Sequence, residues 1–233
     1  MLGEILGAKI NCSAEDHINV THYHNKTCYD SGQNTPSYVI LSAIVSACGV
    51  LSLLGSLFII ITFSYFKKLQ VPTLRLVLFL AITDFLSTFD YVTSPVMPWD
   101  PKTCEVFPMC HVQAISGQFA ELSRIFWVSC IAYNLYAIAV RGMKERQVDR
   151  LQIIYHVVSW GIPAVTVILM EAFQMVSPAG IWCWIDEDFT LARLFMLYMW
   201  LVVAIVFVFA CYIHVCFAVR GMPTQGVIVR LQW

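Results

Sequence analysis

Five ionisable side chains interrupt otherwise apolar stretches of this sequence: Asp84, Asp90, Glu121, Arg124 and Glu171. A charge inside a long apolar segment is expensive and by default marks function. At about 1.5 Å of rise per helical residue, Asp90 lies roughly 22 Å from Arg75, and Arg124 about 25 Å from Arg141. Both starting points are basic residues flanking the stretches, so Asp90 and Arg124 are expected at similar depth, within reach of each other. Glu121 stands one helical turn from Arg124 and offers an alternative partner, with Gln118 one turn further on. Asp90, Gln118, Glu121 and Arg124 would then form a polar ligand pocket, with Trp127, Trp182 and Trp184 as aromatic walls. The same residues fit two other tasks. They could lock helices together, since an unpaired buried charge is costly, or line a proton or ion path. Glu171 is close enough to the end of its stretch to snorkel to the interface.

The elements that carry these residues are apolar runs at 38–66, 74–97, 110–140, 152–173 and 191–219. A bilayer core of about 30 Å needs roughly 20 helical residues, and helices satisfy their own backbone in lipid. Composition agrees: the chain is 59% hydrophobic and 12% charged, with mean hydropathy +0.71, where soluble domains carry about a quarter charged residues. The expected fold class is all-α: a polytopic membrane helix bundle (38–219) with a polar N-terminal segment (1–37) and a short tail (220–233). A net charge of −1 and the lack of a strongly basic patch give no surface for nucleic acid.

Orientation follows from Lys and Arg placement. Lys67, Lys68 and Arg75 follow the first stretch, Arg141, Lys144, Arg146 and Arg150 follow the third, and Arg220 and Arg230 lie in the tail. Cytoplasmic loops are the basic ones, so the N-terminus is expected outside and the C-terminus inside, in the plasma membrane. The N-terminal segment carries glycosylation acceptors at Asn11, Asn19 and Asn25, which fit an extracellular head. Residues 1–10 lack the sustained apolar core of a cleavable signal, so the first stretch is expected to act as the insertion signal. Cys12, His17, His22, His24 and Cys28 are zinc-ligand types, but their spacing fits no zinc pattern. A Cys12–Cys28 disulfide or a flexible head is expected instead, with no metal and no cofactor.

On this topology Cys104, Cys110 and Cys183 also lie outside, where oxidation favours bridges. A Cys110–Cys183 bond would tie the third helix to the loop that roofs the bundle. Five outer cysteines are an odd number, so one is left over or pairs elsewhere. Cys48, Cys130, Cys211 and Cys216 lie in the apolar stretches and read as small apolar fillers. Gly49, Ser52, Gly55, Ser56 and Gly161 suit close helix contact, and Pro163 is expected to kink the fourth helix.

Several segments resemble the cyclic-AMP-receptor-like family of seven-helix G-protein-coupled receptors, which comprises slime-mould chemoattractant receptors and an animal orphan-receptor branch. They are Leu54–Leu57 (LGSL), Leu78–Ser87 (LFLAITDFLS), Phe126–Arg141 (FWVSCIAYNLYAIAVR), His156–Pro163 (HVVSWGIP) and Trp182–Ile185 (WCWI), in the family's order. The resemblance covers about Tyr38 to Arg220 and implies five transmembrane helices of a GPCR-like seven-helix fold. It implies a receptor that senses an extracellular ligand and switches a heterotrimeric G protein, and it implies Cys110–Cys183 as the bridge from the third helix to the second extracellular loop. Asp84 resembles the second-helix acid that supports a water or sodium cluster in many seven-helix receptors.

The sequence also departs from the family. Sixth and seventh helices are not found, which predicts a shortened isoform or fragment that signals weakly or not at all. Glu121 and Arg124 replace small polar residues, so a cyclic-AMP ligand is not inherited. An Asp-Arg-Tyr motif is missing beside Arg141, as in the family. Arg141, Lys144 and Arg146 are candidate G-protein contacts, though setting topology or attracting anionic lipid suits each equally. Phosphate loops, HExxH and nucleophile elbows are absent, and His156 and His214 are isolated, so no enzyme is expected. The expected partners are membrane lipids, an unidentified extracellular ligand, a G protein and a receptor oligomer. The alternatives are a small transporter, which would more often show internal repeats, and a short partner that regulates a full-length receptor.

Overall fold

A computed structural model of the chain describes residues 9–10, 28–29, 36–93, 108–179 and 182–220. Asn11, Asn19, Asn25, Cys12, Cys104, Trp99 and the tail beyond Arg220 lie outside the described residues. Within the N-terminal segment, β1 (Lys9–Ile10) pairs antiparallel with β2 (Cys28–Tyr29). The helices that follow are α1 (Pro36–Tyr65), α2 (Pro72–Thr93), α3 (Pro108–Ala139), α4 (Glu145–His156) and α5 (Ile162–Ala172). A hairpin of β3 (Val176–Ala179) and β4 (Trp182–Ile185) leads into α6 (Thr190–Arg193) and α7 (Met199–Arg220). Single π turns, Val157–Gly161 and Leu194–Tyr198, join α4 to α5 and α6 to α7. Among the described residues, five helical spans are long and apolar enough to cross a membrane: Val39–Tyr65, Pro72–Thr93, Met109–Ala139, Gln147–Ala172 and Glu187–Arg220.

Local sequence sets the ends. Pro72 opens α2, where a missing N–H costs nothing and the fixed φ suits a helix. Beyond α3, Gly142 takes φ 62°, a left-handed conformation that glycine adopts without strain. The fourth helix starts at Glu145, well before the expected 152. Counting apolar residues stops at charged ones, but a helical backbone does not, and the Gln147 side chain accepts the Lys144 backbone N–H at 3.0 Å. Pro163 breaks no helix. The π turn just before it takes up the missing hydrogen bond, and Ile162 N–H still reaches the Val158 carbonyl.

α3 is the axis. It packs against α2, α5, α7 and both hairpin strands, and half of its span is buried, against 11% for the first span and 6% for the last. Leu51, Phe58 and Ile61 on α1 and Val206, Phe209 and Phe217 on α7 are exposed, as suits surfaces solvated by lipid, where helices associate by close packing and polar contacts rather than by hydrophobic burial. Gly49 allows a close α1–α2 approach: a β-carbon there would stand 2.8 Å from Val92 Cγ2. Ser52 joins it by accepting from Thr88 at 3.4 Å. Gly55 and Gly161 make no such contact, since a β-carbon at either meets open space. Of the four membrane cysteines, Cys130 and Cys211 are buried, while Cys48 and Cys216 are exposed rather than filling the core.

The end of the bundle away from the hairpin is filled with aromatics. Phe79 stacks on Trp127 at 4.9 Å, and His156 and Trp160 meet Trp127 edge-on at 5.2 and 5.6 Å. Leu76, Cys130 and Tyr155 complete that cluster.

Candidate functional site

Polar groups gather at the hairpin end. Cys110 near the start of α3 is bonded to Cys183 of β4, with Cα atoms 5.3 Å apart. This bridge and two buried amides hold the hairpin over the helices. Gln113 donates to the Asp90 carbonyl and accepts the Cys183 backbone N–H, both at 3.0 Å. Gln118 donates to the Met196 carbonyl at 3.0 Å and accepts from Trp184 Nε1 at 2.8 Å. Met196 lies in the Leu194–Tyr198 π turn, where widened bonding leaves carbonyls available. On the apolar side, Ala114, Met170, Met175, Val176 and Ile185 seal the hairpin base.

Under this roof lies a cavity of about 200 Å³. α2 contributes Ser87, Asp90 and Tyr91, and α3 contributes Gln113, Gly117, Gln118 and Glu121. Trp182, Cys183 and Trp184 close it from the hairpin, and Leu197 and Tyr198 from the Leu194–Tyr198 π turn. The aromatic walls brace one another: Tyr91 meets Trp182 edge-on at 5.7 Å, and Trp184 meets Tyr198 at 5.8 Å.

α2 and α3 form a polar ladder from the cavity into the membrane. Ser116 donates to Asp90 Oδ1 at 2.9 Å. Ser87 and Tyr91 donate to Glu121 Oε1 at 2.5 and 3.1 Å. The other Glu121 oxygen pairs with Arg124, whose guanidinium also lies 3.7 Å from Asp84. Asp84 therefore has a tethered guanidinium as a nearby cation. Asp90 Oδ2 has no such partner: it is buried without a hydrogen bond, 3.8 Å from where a Gly117 β-carbon would stand.

Of the sequence candidates, Asp90, Gln118, Glu121 and Trp184 line one cavity, with Trp182 beside them. Two do not line it. Arg124 lies below it, bound to Glu121 and Asp84, and the expected Asp90–Arg124 pair is not formed. The depth count assumed that Arg141 and Arg75 stand level. Instead Asn134 lies level with the start of α2, donating to Thr73 Oγ1 at 3.4 Å. α3 thus overshoots α2, and counting from Arg141 placed Arg124 too far toward the hairpin. Trp127 belongs to the aromatic cluster, fully buried. Glu171 pairs with His111 at 3.2 Å rather than standing alone. Trp200 packs on Phe126 at 5.3 Å.

Sequence reasoning missed Gln113, Tyr91 and Tyr198. Gln113 carried a usable signal, being a second amide near the bridge cysteine; Tyr91 and Tyr198 look like ordinary interface aromatics until the hairpin is placed over them. At the opposite end, Arg141 and Lys144 are exposed in the link between α3 and α4, and Arg146 lies in the first turn of α4. Among the described residues no group of three His, Cys, Asp or Glu could hold a metal ion.

Comparison with known proteins fits this architecture. The chain is similar to squid rhodopsin, with a TM-score of 0.65 at 16% identity, over 91% of this chain and 65% of that one. This likeness gives the fold: the five spans are arranged as in a seven-helix receptor. The chain is 32% identical to human G-protein coupled receptor 157 over 63% of its own length and 44% of that protein. It is 28% identical to cyclic AMP receptor 4 of Dictyostelium discoideum over 66% of its length and 36% of that protein. It thus matches less than half the length of these relatives. The family model described as slime mold cyclic AMP receptor matches residues 32–221. With its apolar spans, bridged hairpin and cavity, this chain is an integral membrane protein that belongs to the slime mold cyclic AMP receptor family.

Proposed function

We propose that this protein is a G-protein-coupled-receptor-like membrane protein that takes an extracellular ligand into the cavity under the β3–β4 hairpin and, in its full-length form, couples to a heterotrimeric G protein at the opposite end. The observation that carries this reading is the cavity itself, polar on the α2–α3 side, aromatic on the others, and roofed by a hairpin tied to α3 through Cys110 and Cys183. Pockets between helices with a few convergent polar groups are where small ligands bind.

In this reading residues 1–37 lie outside the cell, glycosylated at Asn11, Asn19 and Asn25, and 220–233 lie in the cytoplasm. Asp90, Glu121 and Trp184 face the ligand. Gln118 holds the wall, Arg124 positions Glu121, and Trp127 serves the core. Arg141, Lys144 and Arg146 meet the G protein, and basic loops facing the cytoplasm support that orientation.

The test has two parts. An epitope placed before residue 36 is expected to bind antibody on unpermeabilised cells. Membranes carrying a version completed to seven helices are expected to raise nucleotide exchange on an added G-protein heterotrimer, with Arg141→Ala and Lys144→Ala lowering it, and the 233-residue chain is expected to raise it weakly or not at all. A shielded epitope, or solute flux in vesicles without nucleotide exchange by the seven-helix version, defeats the receptor reading in favour of a transporter.

A further inference from the structure

The charge balance at the cavity points to one ligand chemistry. Among the described residues, three carboxylates (Asp84, Asp90, Glu121) and two guanidiniums (Arg124, Arg193) stand at or near it. Arg124 is committed to Glu121 and Asp84. Arg193 does not line the cavity. It donates from Nε and a terminal nitrogen to the Ile185 carbonyl at 2.9 and 2.5 Å, and its guanidinium lies 5.3 Å from the Trp184 ring centroid. Among the described residues no Lys or Arg side chain is one of the cavity walls. Asp90 is left over: one oxygen accepts from Ser116 and the other is buried without a partner. A carboxylate so placed lacks a counter-charge. Around it stand Tyr91, Trp182, Trp184 and Tyr198, whose ring faces attract cations.

Resting on the receptor reading above, we infer that the cavity takes a small organic cation, an ammonium group carried on a compact apolar or aromatic body, with Asp90 as its counter-charge. At about 200 Å³ the space is below the range of roughly 300–1,000 Å³ usual for drug-sized ligands, which keeps the occupant small. An anionic nucleotide would meet the unpaired carboxylate with no basic wall among the described residues to offset it.

The test uses the full chain, purified in lipid nanodiscs, and three probes of one shape: 2-phenylethylammonium, 2-phenylethanol and phenylacetate. Binding is read by saturation-transfer NMR and by the rise in unfolding temperature. The ammonium probe is expected to bind at least about tenfold more tightly than the alcohol, since a partly buried charge pair exceeds the 1.4 kcal/mol that a tenfold ratio represents. Phenylacetate is expected to bind most weakly. Asp90→Asn is expected to bring the ammonium and the alcohol together. Equal binding of the ammonium and the alcohol to the unaltered protein, or tighter binding of phenylacetate, overturns the inference and leaves the pocket reading standing. A preference for the ammonium that survives Asp90→Asn overturns the role of Asp90. If Asp90→Asn fails to fold, the three probes on the unaltered protein decide alone. Silence from all three overturns the inference too, and the receptor reading is then judged on nucleotide exchange by the seven-helix version.

Discussion

The hairpin half of the bundle and the far half are held together by different means. The hairpin half is cross-linked by polar side chains: Gln113, Gln118, Ser87, Glu121 and the disulfide each join one element to another. The far half is packed by Leu76, Phe79, Trp127, Tyr155 and Trp160. Lipid is as apolar as this packing, so burial contributes little there and shape contributes most. Of the buried side-chain polar atoms left without hydrogen bonds among the described residues, Ser123 Oγ, Trp127 Nε1, Asn134 Oδ1 and Tyr155 OH lie off the cavity, and only Asp90 Oδ2 belongs to a residue that lines it. Polar bonding is thus nearly complete where a cavity must keep its form, and least complete where packing alone suffices.

Changes in each half test that contrast. Removing Arg124 should be the most damaging, because Arg124→Leu strands Asp84 and Glu121 without their cation. The expected loss is about 3 kcal/mol, visible as a collapse of the monodisperse fraction in detergent, and Glu121→Gln added to it should recover part of the yield. Trp127→Ala should follow at about 2 kcal/mol, less than the 3–5 of a soluble core, because only packing and not transfer from water is lost. Its melting temperature should fall while cavity binding survives; loss of binding first would mean that the halves are coupled.

Opening the bridge with Cys183→Ser should cost about 2 kcal/mol. The crosslinked residues are 73 apart in sequence, but the helices between them stay inserted when the bundle loosens, so the entropy gain is below that of a free chain. Protease should then cut the hairpin before α3. Gln118→Leu breaks two hydrogen bonds and should cost about 1 kcal/mol, with a change in Trp184 fluorescence. The smallest effect should be a gain. Gln174 sits at φ 49°, and Gln174→Gly should raise stability by about 0.5 kcal/mol through relief of a left-handed conformation.

The spans were legible because soluble cores rarely use apolar runs long enough to cross a bilayer. The Cys110–Cys183 bridge followed from the family resemblance, and its role as roof tie from the oxidising side of the membrane. The Glu121–Arg124 pair was legible because it is local, one turn apart on a single helix. What failed was everything that depends on how two helices slide past each other. Asp90 and Arg124 were matched by counting from loop ends, and the overshoot of α3 beyond Thr73 is set by packing, which residue counts do not encode. The π turns escaped for a similar reason: no residue type announces an extra residue in a turn, though Pro163 hinted at one.

The two amides that clasp the hairpin carry a consequence for selectivity. Gln113 and Gln118 each bond at both the nitrogen and the oxygen end to protein, which fixes their orientation and leaves one N–H and one lone pair of each for an incoming molecule. Sites that hydrogen-bond a hydroxyl or amine directly reject analogues that lack it by large factors, whereas apolar walls separate near-isosteres only weakly. Recognition here would therefore rest on size, sign of charge and the few donor and acceptor sites that two fixed amides leave over, and molecules that match those sites alike would be separated only weakly.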